Sequence, residues 1–254
     1  MVELRMDFAG KRALVTGASR GLGKAVALGL AAAGARVVLC GRKQEDLDKV
    51  LEEFRGTGFP ALVRSADVGK SDQVASLFEA IDREFGGLDI LVNNVGTNVF
   101  TPSVAEADEA LWDKMMQTSL KSAFLVSTRA VRMMRGAGAG KIVNISSIAA
   151  RRASPGMGLY CIAKAGLEMM TRVLAAELAR HRINVNAVAP GMLKTRFSQP
   201  FWSNEDLLKD YLKGVPLGRI AETGDVVGAV LFLASSLSDY ITGEVITVDG
   251  GAMA

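Results

Sequence analysis

The feature that most constrains this chain is an alternation: short β-branched runs recur between longer stretches of helical periodicity, from one end to the other. Strands are expected over 13–16, 36–40, 61–65, 90–93, 141–145, 184–189 and 245–248. Helices are expected over 22–33, 45–54, 72–85, 109–135, 159–180 and 224–234. A helix between two strands returns the chain to the same end of the sheet, so the strands run parallel. Runs such as Val37-Val38-Leu39 and Ile90-Leu91-Val92 are apolar throughout, as strands must be when helices cover both faces. The fold class predicted is α/β, a doubly wound parallel sheet of about seven strands forming a single domain over residues 1–254. Nearly half of the residues are apolar, enough for one large core.

Several function classes drop out early. A net charge of +3 without a block of like charges argues against nucleic acid or a membrane as partner. His181 is the only histidine, and Cys40 and Cys161 lack ligand spacing, so no metal site and no disulfide framework is expected. Residues 1–10 hold Glu3, Arg5 and Asp7 rather than the apolar stretch of a leader, and the apolar run 25–35 is too short to span a bilayer. Together these predict a cytoplasmic protein in a reducing compartment.

In a sheet of this kind ligands bind beyond the carboxyl ends of the strands, where strand order reverses. The first strand is followed there by Thr16-Gly17-Ala18-Ser19-Arg20-Gly21-Leu22-Gly23. Gly17 and Gly21 permit a tight turn and close approach of a pyrophosphate, Gly23 lets helix and strand pack together, and the helix N-terminus offers free N–H groups. Such a turn makes the fold Rossmann-like and points to a dinucleotide. An NAD site usually closes its second strand with a carboxylate for the ribose hydroxyls. Here the strand ends Leu39-Cys40-Gly41-Arg42-Lys43, so glycine replaces the acid and two cations follow. A 2′-phosphate would be repelled by the acid and gripped by the fork of Arg42, with Arg20 as a second cation, which selects NADP. The alternative is that Arg42 and Lys43 merely open a solvated helix.

Tyr160-Cys161-Ile162-Ala163-Lys164 sets a phenol and an amine four apart on one helical face, and Ser147 lies at the end of the strand before it, beside Ser146. Reduction of a carbonyl needs a proton for the oxygen that gains charge, and a phenol acting as base near neutrality needs its pKa drawn down by nearby positive charge.

With its Gly-x-x-x-Gly-x-Gly spacing and this trio, the chain resembles the short-chain dehydrogenase/reductase family over nearly its whole length. In loop motifs it is most similar to NADP-dependent carbonyl/retinal reductases of the mammalian peroxisomal type, although Ala252-Met253-Ala254 is not a peroxisomal address. The resemblance implies hydride transfer between NADP(H) and a carbonyl or alcohol, with Tyr160 as acid/base, Lys164 holding the nicotinamide ribose and Ser147 the substrate oxygen. It implies cofactor contacts from Gly17, Ser19, Arg20, Gly21, Leu22, Gly23 and Arg42, from Asp67 and Val68 at the adenine, and from Asn94 and Gly96 after the fourth strand. Pro190, Gly191, Leu193 and Thr195 are expected on the nicotinamide side, and a homotetramer through the long central helices and the C-terminal region.

One position departs. The family carries an asparagine in the central helix, thought to hold a water that relays protons to the lysine; here it is Ser119. Either hydroxyl and water take over, or the relay is impaired. Residues 192–214, with Phe197, Phe201 and Trp202, are read as a substrate lid or as helices packed on the core. Arg151 and Arg152 either face the substrate mouth or sit on a surface loop, His181 is expected to cap a helix, and the methionine pairs fill the core or a subunit contact. Two other functions stay open: a 3-oxoacyl-thioester reductase using Arg129, Arg132 and Arg172 to dock an acidic carrier protein, and an NADP sensor without turnover, for which Ser119 is the sole support.

Overall fold

A computed structural model describes residues 6–57 and 59–254. Met1–Arg5, which carry part of the reading against a leader, lie outside the described residues. The strands β1 (Arg12–Thr16), β2 (Arg36–Gly41), β3 (Ala61–Ser65), β4 (Ile90–Asn93), β5 (Gly140–Ile145), β6 (Ile183–Pro190) and β7 (Val245–Val248) form one sheet in the order β3-β2-β1-β4-β5-β6-β7. Every pairing is parallel, and the order reverses between β1 and β4.

The helices are α1 (Gly21–Ala32), α2 (Gln44–Thr57), α3 (Ser71–Phe85), α4 (Glu109–Met116), α5 (Ser122–Ala137), α6 (Gly158–Leu178), α7 (Gln199–Trp202), α8 (Glu205–Leu212) and α9 (Thr223–Ala234). Alternate strand residues face opposite layers. Ala13 and Val15 pack with α1, α2 and α9, while Leu14 packs with α3, α5 and α6. Each fully buried Leu or Val contributes on the order of 1.5–3 kcal/mol, which makes these two layers the main source of stability. α1 and α9 cross closely because Gly29 has no side chain; a Cβ there would lie 2.9 Å from Val227 Cγ1.

The expected strands are all present, β1, β2, β5 and β6 each extending slightly beyond the expected bounds. The helix expected over 109–135 is instead interrupted by a π-turn, Gln117–Lys121, between α4 and α5. A single widened turn leaves the apolar periodicity on either side nearly intact, so periodicity did not reveal it. Residues 192–214 hold two short helices, α7 and α8, and among the described residues no helix is long and apolar enough to cross a membrane.

Candidate active site

The glycine turn lies at the point where strand order reverses. Gly17 and Gly21 have positive φ (66° and 55°), and Gly23 is packed so tightly that a Cβ would fall 2.4 Å from both Asn94 Nδ2 and Gly17 O. Asn94 explains the crowding: its Nδ2 donates to Thr16 O (3.1 Å) and Gly17 O (3.2 Å), while its backbone N–H donates to Thr16 Oγ1 (3.1 Å). Its amide nitrogen is therefore spent on shaping the turn. Arg20 precedes α1 in extended conformation, and no side chain caps the helix, so the first-turn N–H groups point at the cradle. A diphosphate fits a turn lined by backbone N–H groups in which Cβ atoms would collide.

The end of β2 belongs to the same cradle. Ala18 N donates to Cys40 O (3.0 Å), and a Cβ on Gly41 would lie 3.6 Å from Ser19 Cβ. Arg20 and Arg42 are exposed and, among the described residues, neither guanidinium has a hydrogen bond or ion pair with the protein. Asp67 shapes the next loop, its Oδ1 accepting from Gly69 N (3.0 Å) and its N–H donating to Gln73 Oε1 (2.7 Å), with Val68 buried beside it.

On the other side of the reversal, Pro190 ends β6 and Gly191 N donates to Val248 O (3.0 Å). A Cβ on Gly191 would meet Asp249 Cα at 3.1 Å and Tyr211 Oη at 3.2 Å. Leu193 pairs with Ala221, and the chain then folds back until the Thr195 methyl stands 3.7 Å from where a Gly21 Cβ would be. Sequence-distant loops expected to share one ligand thus converge on the glycine turn.

Ser147, Tyr160 and Lys164 come together beside it. Ser147 opens a 3-10 turn, Ile148–Ala150, with its Oγ accepting from Ala149 N at 3.2 Å. Tyr160 and Lys164, one turn apart on α6, are both buried. Lys164 Nζ donates to Ile145 O at 2.7 Å and stands 5.7 Å from the Tyr160 ring centre. Gly96 leaves room over that amine, since a Cβ there would be 3.4 Å from Nζ. Burial pushes the Tyr160 phenol up to about 12, against the opposing hydrogen bond with Ser147. Burial also brings Lys164 down to about 8. The sequence led us to expect the amine to draw the phenol down; in the protein by itself burial is the largest influence and the net shift is upward.

Ser119 sits buried in the π-turn, but its hydroxyl is engaged elsewhere: it donates to Thr97 O and accepts from Thr97 N, both at 3.4 Å. It thereby anchors the segment after Gly96. From residues 192–214, the Phe197 ring stands 6.1 Å from the Tyr160 ring, tilted by 46°. His181 lies in the 3-10 turn Ala179–His181 that follows α6, where its Nε2 accepts from Arg180 Nε at 3.3 Å, and among the described residues it bonds no helix-end carbonyl.

Sequence reasoning missed three groups. Tyr211 fixes the nicotinamide-side loop, its Oη accepting from Met192 N at 2.9 Å. Arg151, read as facing the substrate mouth or sitting on a surface loop, pairs with a buried carboxylate, Glu168, at 2.9 Å. Glu168 lies four residues beyond Lys164 on the same helical face, and a lone acid in that buried stripe was the available signal.

A parallel sheet with a dinucleotide turn at its reversal point, and a serine, a phenol and an amine gathered beside it, defines a nicotinamide-dependent oxidoreductase moving hydride between carbonyl and alcohol. The family model described as enoyl-(acyl carrier protein) reductase matches residues 17–253. The chain belongs to the short-chain dehydrogenase/reductase family. It is 38% identical to gluconate 5-dehydrogenase of Gluconobacter oxydans, over 96% of this chain and 95% of that one. It is 37% identical to human dehydrogenase/reductase SDR family member 4, over 97% and 89%. A crystal structure of gluconate 5-dehydrogenase from Burkholderia cenocepacia, in complex with NADP and tartrate, superposes with a TM-score of 0.94 at 34% identity, covering 98% and 97% of the two chains. The resemblance to peroxisomal-type reductases is thus real, and sugar-acid dehydrogenases stand equally near.

Proposed function

We propose that this chain is an NADP-dependent reductase of apolar ketones or aldehydes, with Tyr160 as proton donor, Ser147 as hydrogen-bond donor to the substrate oxygen and Lys164 as the group that holds the nicotinamide ribose. The observation that carries this is the convergence of Ser147, Tyr160 and Lys164 beside a turn flanked by two unpaired cations, Arg20 and Arg42. Gly17, Ser19, Gly21, Leu22 and Gly23 hold the diphosphate, and Arg42 and Arg20 the 2′-phosphate. Asp67 and Val68 border the adenine, while Asn94, Gly96, Pro190, Gly191, Leu193 and Thr195 line the path to the nicotinamide. NADPH, when bound, supplies the hydride.

Tyr160 then gives its Oη proton to the oxygen that gains charge. A phenol lifted by burial is well suited to hold that proton until charge develops, and Ser147 Oγ orients and stabilises the same oxygen. In the oxidative direction the phenol must ionise, which requires positive charge at the site beyond what this chain brings to Tyr160.

We take residues 192–214 as a lid on a single-domain fold, and Phe197 above Tyr160 favours an apolar substrate. The relatives named for gluconate 5-dehydrogenase support a second reading, a polyhydroxy acid. We also take the protein as a cytoplasmic homotetramer: both cysteines are free, and Phe124 on α5 with Met169 and Val173 on α6 leave apolar side chains exposed for subunit contact. Light scattering checks the assembly.

The test is steady-state NADPH oxidation with apolar ketones, diketones, a keto sugar acid and acetoacetyl thioesters, together with dissociation constants for both cofactors. Apolar carbonyls should turn over fastest, and NADPH should bind at least tenfold more tightly than NADH. Arg42→Ala should shrink that difference by about 1.5–3 kcal/mol, the range for hydrogen bonds to a charged group. Equal constants in the unmodified protein defeat the NADP assignment. A panel with no turnover leaves a sensor in place of an enzyme.

A further inference from the structure

Ser146 and Glu168 have no part in the reaction just described, yet both are buried beside it. Four successive residues at the end of β5 each meet α6. Asn144 Nδ2 donates to Thr171 Oγ1 (2.9 Å), Ile145 O accepts from Lys164 Nζ (2.7 Å), Ser146 Oγ donates to Glu168 Oε1 (3.1 Å), and Ser147 lies close enough to Tyr160 to draw its phenol down against burial. Tyr160, Lys164 and Glu168 follow at four-residue intervals on one helix face.

The Glu168 side chain is 4% exposed, and a carboxylate so buried is tolerated only with partners. Its second oxygen accepts from Arg151 Nε at 2.9 Å, and Arg172 Nη2 approaches to 3.7 Å. Arg151 extends the connection to β7, donating from Nη1 to Thr247 Oγ1 (3.3 Å) and from Nη2 to Val245 O (3.5 Å). Residues 146 and 151 flank the turn that carries Ser147, so one carboxylate grips both sides of that turn. Packing alone would be served as well by an apolar side chain. What a carboxylate adds is direction, one oxygen for each side.

We propose that Glu168 is a positioning residue for Ser147, setting the direction of the serine hydroxyl toward the substrate oxygen through Ser146 and Arg151. This rests on the reading of Ser147 as donor to that oxygen.

A double-mutant cycle tests it, read as single-turnover hydride transfer from NADPH to the panel's fastest carbonyl compound. Glu168→Gln keeps the volume but sets an amide against Arg151. It should slow transfer roughly ten- to a hundredfold, the scale of a misplacement near 1 Å, with the NADPH dissociation constant unchanged. On a Ser147→Ala background the same change should cost nothing further. Unaltered transfer in Glu168→Gln overturns the proposal, as does an equal loss in both backgrounds, which marks a merely structural role. Should Glu168→Gln fail to fold, Ser146→Ala enters the cycle in its place, with the same two outcomes deciding. Tyr160→Phe run alongside separates the levels. If it transfers normally, the reading of the site falls; if it is slow while Glu168→Gln is normal, only this inference falls.

Discussion

The β5–α6 seam and the proposed lid, residues 192–214, meet at Tyr160 and are built in opposite ways. In the seam, polar and charged side chains are buried and partnered: Asn144 Nδ2 donates to Thr171 Oγ1 (2.9 Å), Ser146 Oγ to Glu168 Oε1 (3.1 Å) and Lys164 Nζ to Ile145 O (2.7 Å). In the lid, neither α7 nor α8 buries a residue, and Phe197 is 52% exposed. Within it, Trp202 Nε1 donates to Thr195 O (3.0 Å), Met192 N to Tyr211 Oη (2.9 Å) and Ser198 Oγ to Leu193 O, while Lys194 N to Ala221 O (2.8 Å) and Ala221 N to Met192 O (3.0 Å) tie it to the body. Hydrogen bonds hold geometry best where water is excluded, which suits groups that must pass a proton over a fixed distance. A surface that admits and releases substrate needs contacts that form and break easily. Changes in the seam should therefore move turnover, and changes in the lid should move KM.

The largest test of that division is Tyr160→Phe. Turnover should fall at least about a hundredfold, the scale of general acid catalysis, while melting temperature and NADPH affinity hold. Near-normal turnover would place the proton donor outside the seam.

A buried amine should also leave a mark on stability. Lys164 is brought down by burial to about 8 from its ordinary 10.5, so above pH 8 the unfolded chain keeps a proton that the folded chain has lost. Stability then rises with pH, by at most about 1.4 kcal/mol per unit. Cys40 works the other way above pH 9, because burial, with Asp67 adding to it, raises its thiol from 9.0 to about 12. The window for the rise is therefore pH 8 to 9, and urea midpoints of the natural protein should climb across it relative to those of Lys164→Met. Parallel curves would mean that the amine is not held in that environment.

For Ser119→Ala the expected loss is a few-fold in turnover, since two hydrogen bonds to Thr97 at 3.4 Å are long and together contribute about 0.5–1.5 kcal/mol. A loss of a hundredfold would instead assign the hydroxyl to proton transfer.

Phe197→Ala should be smaller still and different in kind. KM for an apolar ketone should rise roughly threefold, because a ring half-exposed to water gains only part of the usual 1.5–3 kcal/mol of burial. Turnover at saturation should stay level, and a fall in turnover with KM unmoved would break the comparison between seam and lid.

Much of this was legible in the chain itself, where the code is local. The short, apolar runs of β1 and β2, the glycine spacing 17-21-23, the missing acid at Gly41 and the four-residue step from Tyr160 to Lys164 are each contained within a few neighbouring residues. Backbone sterics and helix geometry translate such patterns directly, and they determined the parallel sheet, the dinucleotide turn and the trio beside it. Tertiary structure decided what depends on residues far apart. Asn94 shapes a turn 77 residues earlier, Glu168 reaches Ser146 22 residues back, and Arg151 reaches Thr247 across 96. The π-turn around Ser119, the upward shift of the Tyr160 phenol and the exposure of the lid also depend on what packs against them. Burial and its electrostatic consequences belong to the assembled fold, because solvent is excluded from a group only when distant parts of the chain close over it.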